Sequence, residues 1–164
     1  MKKLLLLSLL LLSACSKQNV DPRTIHGVDS KLATYRDNYI AYKGSPLAYD
    51  IPMQFVAQVF PIVGMCTRWS NGYRQIEIDP VYWASQDEGQ RLQLVFHELG
   101  HCDLNRGHIS EVRDNGFPVS FMNPYTFWYS PLDLSYYINE LLTDSSTNPT
   151  TGSNSDCVKD IEVK

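Results

Sequence analysis

Three of the four histidines in this 164-residue chain fall in one run, His97-Glu98-Leu99-Gly100-His101-Cys102-Asp103-Leu104-Asn105-Arg106-Gly107-His108. Its first five residues read H-E-x-x-H. Residues i and i+4 share a helix face, so the imidazoles of His97 and His101 can converge on one ion. Neutral imidazole binds zinc at about 2.0–2.1 Å. Glu98 follows the first ligand and is placed to take a proton from water activated by that ion, provided its carboxylate stays off the metal.

A catalytic zinc usually has three protein ligands and one open position, and H-E-x-x-H supplies two. His108 is the obvious third. A continuous helix would separate it from His101 by roughly 10 Å along the axis, so the chain must turn back. Asn105 and Gly107 are residue types that accept left-handed backbone and end helices. They let His108 return to the ion from a loop.

These residues need a helix and a frame around it. Leu92, Val95, Phe96 and Leu99 have helical spacing, and Ser85 with Glu88 has capping-box spacing. The sequence predicts a helix from about Gln86 to Leu104, with the motif in its last turns. Leu32, Tyr35, Tyr39 and Tyr42 predict an amphipathic helix from Val28 to Tyr42, ended by Gly44 and Pro46. Phe55 to Phe60 reads as a strand stopped by Pro61. Met65–Trp69 and Tyr73–Asp79 flank Asn71-Gly72, a strong hairpin signal. On the second arm Arg74, Ile76 and Ile78 point one way, Gln75 and Glu77 the other. Leu134, Tyr137, Ile138, Leu141 and Leu142 predict a closing helix from Pro131 to about Leu142. The fold class expected is α+β, a small twisted mixed sheet with helices.

The ends of the chain carry a different message. Met1-Lys2-Lys3 is basic, and Leu4 to Leu12 is leucine interrupted only by Ser8. That run is too short to span a bilayer and reads as a secretory signal. Leu12-Ser13-Ala14-Cys15 resembles a bacterial lipobox. The resemblance implies cleavage before Cys15 and attachment of lipid, palmitate included, to that cysteine. An ordinary signal with a chance cysteine is the alternative. Ser16, in place of Asp, resembles lipoproteins sent to the outer membrane. The expected location is therefore the cell envelope, with the chain held at a membrane surface by lipid alone.

The expected organisation is a signal peptide (1–14), a lipid-anchored tether (15–27) that includes a solvent-exposed His26, one domain (28–143) and a tail without structure (144–164). The net charge of −4 and the lack of a basic patch argue against nucleic acid as a partner. Export permits disulfides. Cys66 lies in an expected strand and Cys102 directly after His101, so Cys66–Cys102 is the expected pair and Cys157 the orphan. Asp103 is expected to lie in solvent, with a bond from Arg106 as the alternative.

The run from His97 onward resembles the metzincin zinc peptidases, whose pattern is H-E-x-x-H-x-x-G-x-x-H followed by a methionine turn. His97, Glu98 and His101 match directly. Leu104 stands at the family's Gly position and Gly107 at its third His, and one inserted residue restores the match with Asn105 turning and His108 ligating. Met122, in Ser120-Phe121-Met122-Asn123-Pro124, looks like the methionine turn. The resemblance spans about residues 50 to 143. It implies a zincin fold, one catalytic Zn2+, a peptide or protein substrate, and Glu98 as general base of peptide-bond hydrolysis. It also implies an oxyanion role for Tyr125, whose spacing is one residue long and which is otherwise a packing residue. Asn139-Glu140-Leu141-Leu142-Thr143-Asp144 resembles a gluzincin E-x-x-x-D, which makes Glu140 a rival third ligand. A zinc-binding envelope lipoprotein without catalysis is the alternative function. An intact Glu98, which a structural site does not need, weighs against it.

Overall fold

The computed structural model describes residues 27–143 and residues 161–162. The expected signal, Cys15, His26, Asp144 and Cys157 lie outside the described residues. The architecture is α+β, a small mixed sheet with helices packed against it. Among the described residues no helix is long and apolar enough to cross a membrane.

Helix α1 (Ser30–Lys43) starts where Asp29 accepts a hydrogen bond from the Lys31 N–H, and it ends at Gly44 in the left-handed region (φ 70°). It buries Leu32, Tyr35 and Tyr39, as their spacing predicts. Tyr42 remains half-exposed and meets Phe96 edge-on.

The sheet has strand order β1-β3-β2-β4. β2 (Ile62–Arg68) and β3 (Arg74–Ile78) form the antiparallel hairpin predicted at Asn71-Gly72, where Gly72 has φ 86°. β1 (Met53–Phe55) runs parallel to β3, with Met53 opposite Ile76. The strand expected at Phe55–Phe60 therefore lies earlier. β3 ends at Ile78, whose carbonyl takes the Val56 N–H, and the Gln58 N–H goes to the Asp79 carboxylate instead of to a strand. Val59 and Phe60 instead form an exposed loop before a cis Phe60–Pro61 bond. On β3, Ile76 and Ile78 are buried as expected, but Gln75 on the other face is buried too.

Asp79 ends β3 and starts a helix that the sequence reading omits, α2 (Pro80–Ser85). Its carboxylate accepts from the N–H groups of Val81 and Tyr82, and Pro80 fills the first helical position. Ser85 is spent in α2, where its hydroxyl donates to the Tyr82 carbonyl. The capping box is consequently Asp87 with Gln90, two residues later than the Ser85–Glu88 pair. Helix α3 (Glu88–Cys102) follows and is buried continuously from Gln93 to Cys102. A 3-10 turn (Pro131–Asp133) leads into α4 (Leu134–Thr143), the expected closing helix.

Ile161–Glu162, in the tail for which the sequence predicts no structure, forms β4 and pairs antiparallel with β2. It takes the sheet edge that β2 would otherwise leave open. Gly64 of β2 lies opposite Ile161 on that side, and a Cβ built on Gly64 would stand 2.5 Å from Glu98 Oε1. The absence of a side chain at Gly64 is what lets α3 lie this close to the strand.

Candidate metal centre

The last turns of α3 set two imidazoles on one face, and the chain then reverses. The last helical hydrogen bond runs from the Asp103 N–H to the Leu99 carbonyl, Asn105 adopts φ 57°, and the Arg106 N–H reaches back to the Gly100 carbonyl at 3.0 Å. Asn105 is the one non-glycine residue with positive φ among the described residues, and Asn is among the side chains that tolerate it best. Gly107 follows, and His108 comes back beside the helix.

The outcome is a closed triangle of nitrogens. His97 Nε2 and His101 Nε2 are 2.9 Å apart, His101 Nε2 and His108 Nε2 3.1 Å, and His108 Nε2 and His97 Nε2 3.3 Å. The other ring nitrogens of the two helical histidines are used. His97 Nδ1 donates to the Phe121 carbonyl at 2.7 Å, and His101 Nδ1 donates to the Arg106 carbonyl at 2.7 Å. A neutral imidazole that donates from Nδ1 presents a lone pair at Nε2. Two such lone pairs, with His108 between them, are a donor set for a cation. Among the described residues this triad is the group of His, Cys, Asp and Glu side chains able to hold a metal ion.

Burial reinforces that chemistry. His97 and His101 are almost fully enclosed, while His108 is half-buried. Loss of hydration holds His97 well below the usual imidazole range, with the neighbouring His101 and His108 adding to the shift. Burial, then His108, holds His101 down to about 3. Both rings are thus kept neutral at neutral pH, the form able to ligate a cation.

Behind the triad the packing is close. Ser120 to Asn123 forms a turn in which the Asn123 N–H meets the Ser120 carbonyl and the Met122 N–H meets Ser120 Oγ. Met122 is fully buried, and its sulfur lies against Gly100, which stands between His97 and His101 in the helix. Its carbonyl accepts the Ile109 N–H at 2.8 Å, which ties this turn to the residue after His108. Phe121 stacks on Tyr137 of α4, with ring centroids 4.9 Å apart. Tyr125 is half-buried, and its N–H is held by Asn123 Oδ1.

Glu98 is fully buried between α3 and β2. The expected disulfide is present between Cys66 of β2 and Cys102 at the end of α3. Glu140 does not join the triad. Its carboxylate pairs with the Arg106 guanidinium at 2.5 Å.

Three charged residues around this site, Asp103, Arg74 and Arg106, are buried where the sequence does not mark them as such. Asp103, expected in solvent, is buried and accepts from the Tyr39 hydroxyl at 3.0 Å, Lys43 Nζ at 2.6 Å and the Ala48 N–H at 2.6 Å. The reason is that α1 and the segment after it close over the end of α3. Burial, and next the Asp103 charge, raise the Tyr39 phenol. Arg74, on β3, donates to the Cys102 carbonyl and to Asn105 Oδ1, and stacks over the Tyr49 ring. Arg106 is buried as well. A cation beside helix-ending Asn and Gly was the available signal, because cations favour the carbonyl-rich ends of helices.

Comparison with protein family models, with curated proteins and with solved structures finds no match.

Proposed function

We propose that this chain is a zinc-dependent metallopeptidase of metzincin type, anchored in the bacterial envelope through Cys15. The observation that carries the reading is the triangle of Nε2 atoms, 2.9–3.3 Å on its sides. Three nitrogens about 2.05 Å from a tetrahedral ion stand about 3.3 Å from one another, so the triangle closes on zinc with little movement. A site of three histidines leaves the fourth position open, whereas structural sites usually close with a fourth protein ligand. Cys102 is not available for that position, because it is committed to Cys66.

Zinc held there supplies a Lewis acid that makes water acidic near neutral pH and polarises a carbonyl. The chain supplies the rest. His97 and His101 hold their tautomers through the Phe121 and Arg106 carbonyls. Glu98, next to His97, accepts the water proton on its carboxylate and delivers it to the leaving nitrogen. Met122, buried under Gly100, is the methionine-turn residue of this reading, and Asn105 is the turning residue that accommodates the one-residue insertion before His108. Tyr125 enters through the resemblance alone. A peptide substrate enters through the same resemblance, since the β2 edge is taken by β4.

The test is zinc stoichiometry and cleavage of a mixed peptide library by the protein and by Glu98→Gln. The expected result is chelator-sensitive cleavage, with zinc retained in E98Q and kcat/KM reduced by about 10²–10⁴-fold. Undiminished cleavage by E98Q defeats the mechanism. Full zinc with no cleavage by the unaltered protein returns the non-catalytic alternative.

A further inference from the structure

Arg106 occupies an unusual position. Its backbone serves the triad, since its carbonyl accepts from His101 Nδ1 and its N–H closes the turn on Gly100. Its side chain serves α4. One guanidinium nitrogen donates to the carbonyls of both Glu140 and Leu141, each at 2.9 Å. The other meets the Glu140 carboxylate at 2.5 Å. The residue is 2% exposed.

Each bond has a physical reason. The last carbonyls of a helix lack partners within it and carry the negative end of its dipole. A guanidinium is the side chain that can bridge two such carbonyls while reaching a carboxylate, because its donors are held in a rigid plane. A buried cation is expensive without an anion, and Glu140 supplies one. The fork therefore has one well-defined place. The carbonyl on the same residue then has one place too, and with it the ring of His101.

We infer that Arg106 is a positioning residue for the metal centre, locking the return turn to the end of α4 with Glu140 as its anchor, so that α4 and metal binding are coupled. This rests on the metal-binding reading of the triad and is independent of whether the centre hydrolyses anything. The role differs from that of a ligand. Neither side chain touches the ion; they set how His101 and His108 meet around it.

The experiment measures metal, not activity. Zinc affinity is determined by competition with a chromophoric chelator for the full-length protein, Arg106→Lys, Glu140→Gln and the double variant. R106K keeps the charge without the planar fork, and E140Q leaves a neutral acceptor for it, so a folded protein is expected; thermal unfolding of the metal-free forms checks it. Each single variant should bind zinc about 10–100-fold more weakly, the usual cost of losing an outer partner of a ligand. The double variant should be no weaker than the worse single one, because the two residues act as a unit. The visible spectrum of the cobalt(II) form should shift in both variants, reporting altered coordination that lost stability alone would not produce. In the unaltered protein, zinc should slow amide exchange in the last turn of α4, and this protection should be lost in R106K.

Variants that fold and bind zinc within twofold of the unaltered protein overturn the inference. So does E140Q losing zinc while R106K keeps it, which would make Glu140 a ligand. If the unaltered protein binds neither zinc nor cobalt, the metal reading itself falls and the clamp with it.

Discussion

The two ends of α3 are built differently. At its start, exposed Asp87 closes a capping box with Gln90, the Glu88 carboxylate takes the Tyr35 hydroxyl at 2.8 Å, and the Gly89 carbonyl takes the Tyr129 hydroxyl at 3.0 Å. Beside it lies a cavity of about 390 Å³ walled largely by Leu92, Trp128, Tyr129, Pro131 and Leu134. At its other end every residue from His97 to Cys102 is buried. There a disulfide, the buried side chains of Arg74, Asp103 and Arg106 and two backbone carbonyls fix the helix, its turn and its imidazoles. Packing that leaves a cavity is adequate where a helix only has to be present. It is inadequate where neutral nitrogen atoms must face one another at 2.9–3.3 Å. Nitrogen atoms at such separations need a rigid surround to hold them together.

The most damaging way to break this contrast is to cut the disulfide. The Cys66→Ser/Cys102→Ser protein loses a cross-link spanning 36 residues, which the loop-entropy relation values at about 4 kcal/mol. Urea unfolding should show that loss. Zinc affinity should fall as well, because Cys102 follows His101 and its carbonyl is held by Arg74. A loss below about 1 kcal/mol would mean that the polar contacts fix this end without help.

This contrast also marks what was legible in the sequence. The triad and the turning role of Asn105 could be read because each depends on residue type at fixed spacing, and the Cys66–Cys102 pair because Cys66 falls in an expected strand and Cys102 directly after His101. The hairpin was equally plain, since Asn71-Gly72 is local chemistry. What holds the triad in place was not legible. His97 and His101 lean on the carbonyls of Phe121 and Arg106, and a backbone carbonyl leaves no mark on residue type. Asp103 looked like a surface acid because Tyr39, Lys43 and Ala48, its partners, lie 55 to 64 residues away. The strand β1 was misplaced because parallel pairing is set by where β3 ends, not by where β-branched residues are richest. Asp79-Pro80 is a helix-start signal, but the alternating run Tyr73–Asp79 absorbs Asp79 into a strand and hides α2.

A smaller test works inside the well-fixed end. Gly100→Ala places a methyl against the Met122 sulfur, with Leu141 Cδ1 at 3.1 Å. All three residues are buried, so the overpacking should cost about 1–3 kcal/mol. Met is flexible and can yield, which puts the expected value at the lower end of that range. The floor under His97 and His101 should shift with it. Zinc affinity measured beside urea unfolding should fall in step with stability. Unchanged affinity in a destabilised G100A would show that Met122 fills space without bearing on the ligands.

The mildest change addresses the other end and completes the contrast. Asp87→Ala removes the side chain that accepts the Gln90 N–H at 2.9 Å and leaves the first turn of α3 without its box. Loss of such a cap costs about 1 kcal/mol, visible as a lower urea midpoint with unchanged slope. Several helical turns separate Asp87 from His97, and neither of the helical ligands' Nδ1 partners, Phe121 and Arg106, depends on the cap. Zinc affinity and kcat/KM should therefore equal those of the unaltered protein. If D87A weakened zinc binding more than about threefold, a loss beyond 0.6 kcal/mol at this end would be felt at the other, and α3 would have to be treated as one rigid lever rather than as a fixed site on a softer shaft.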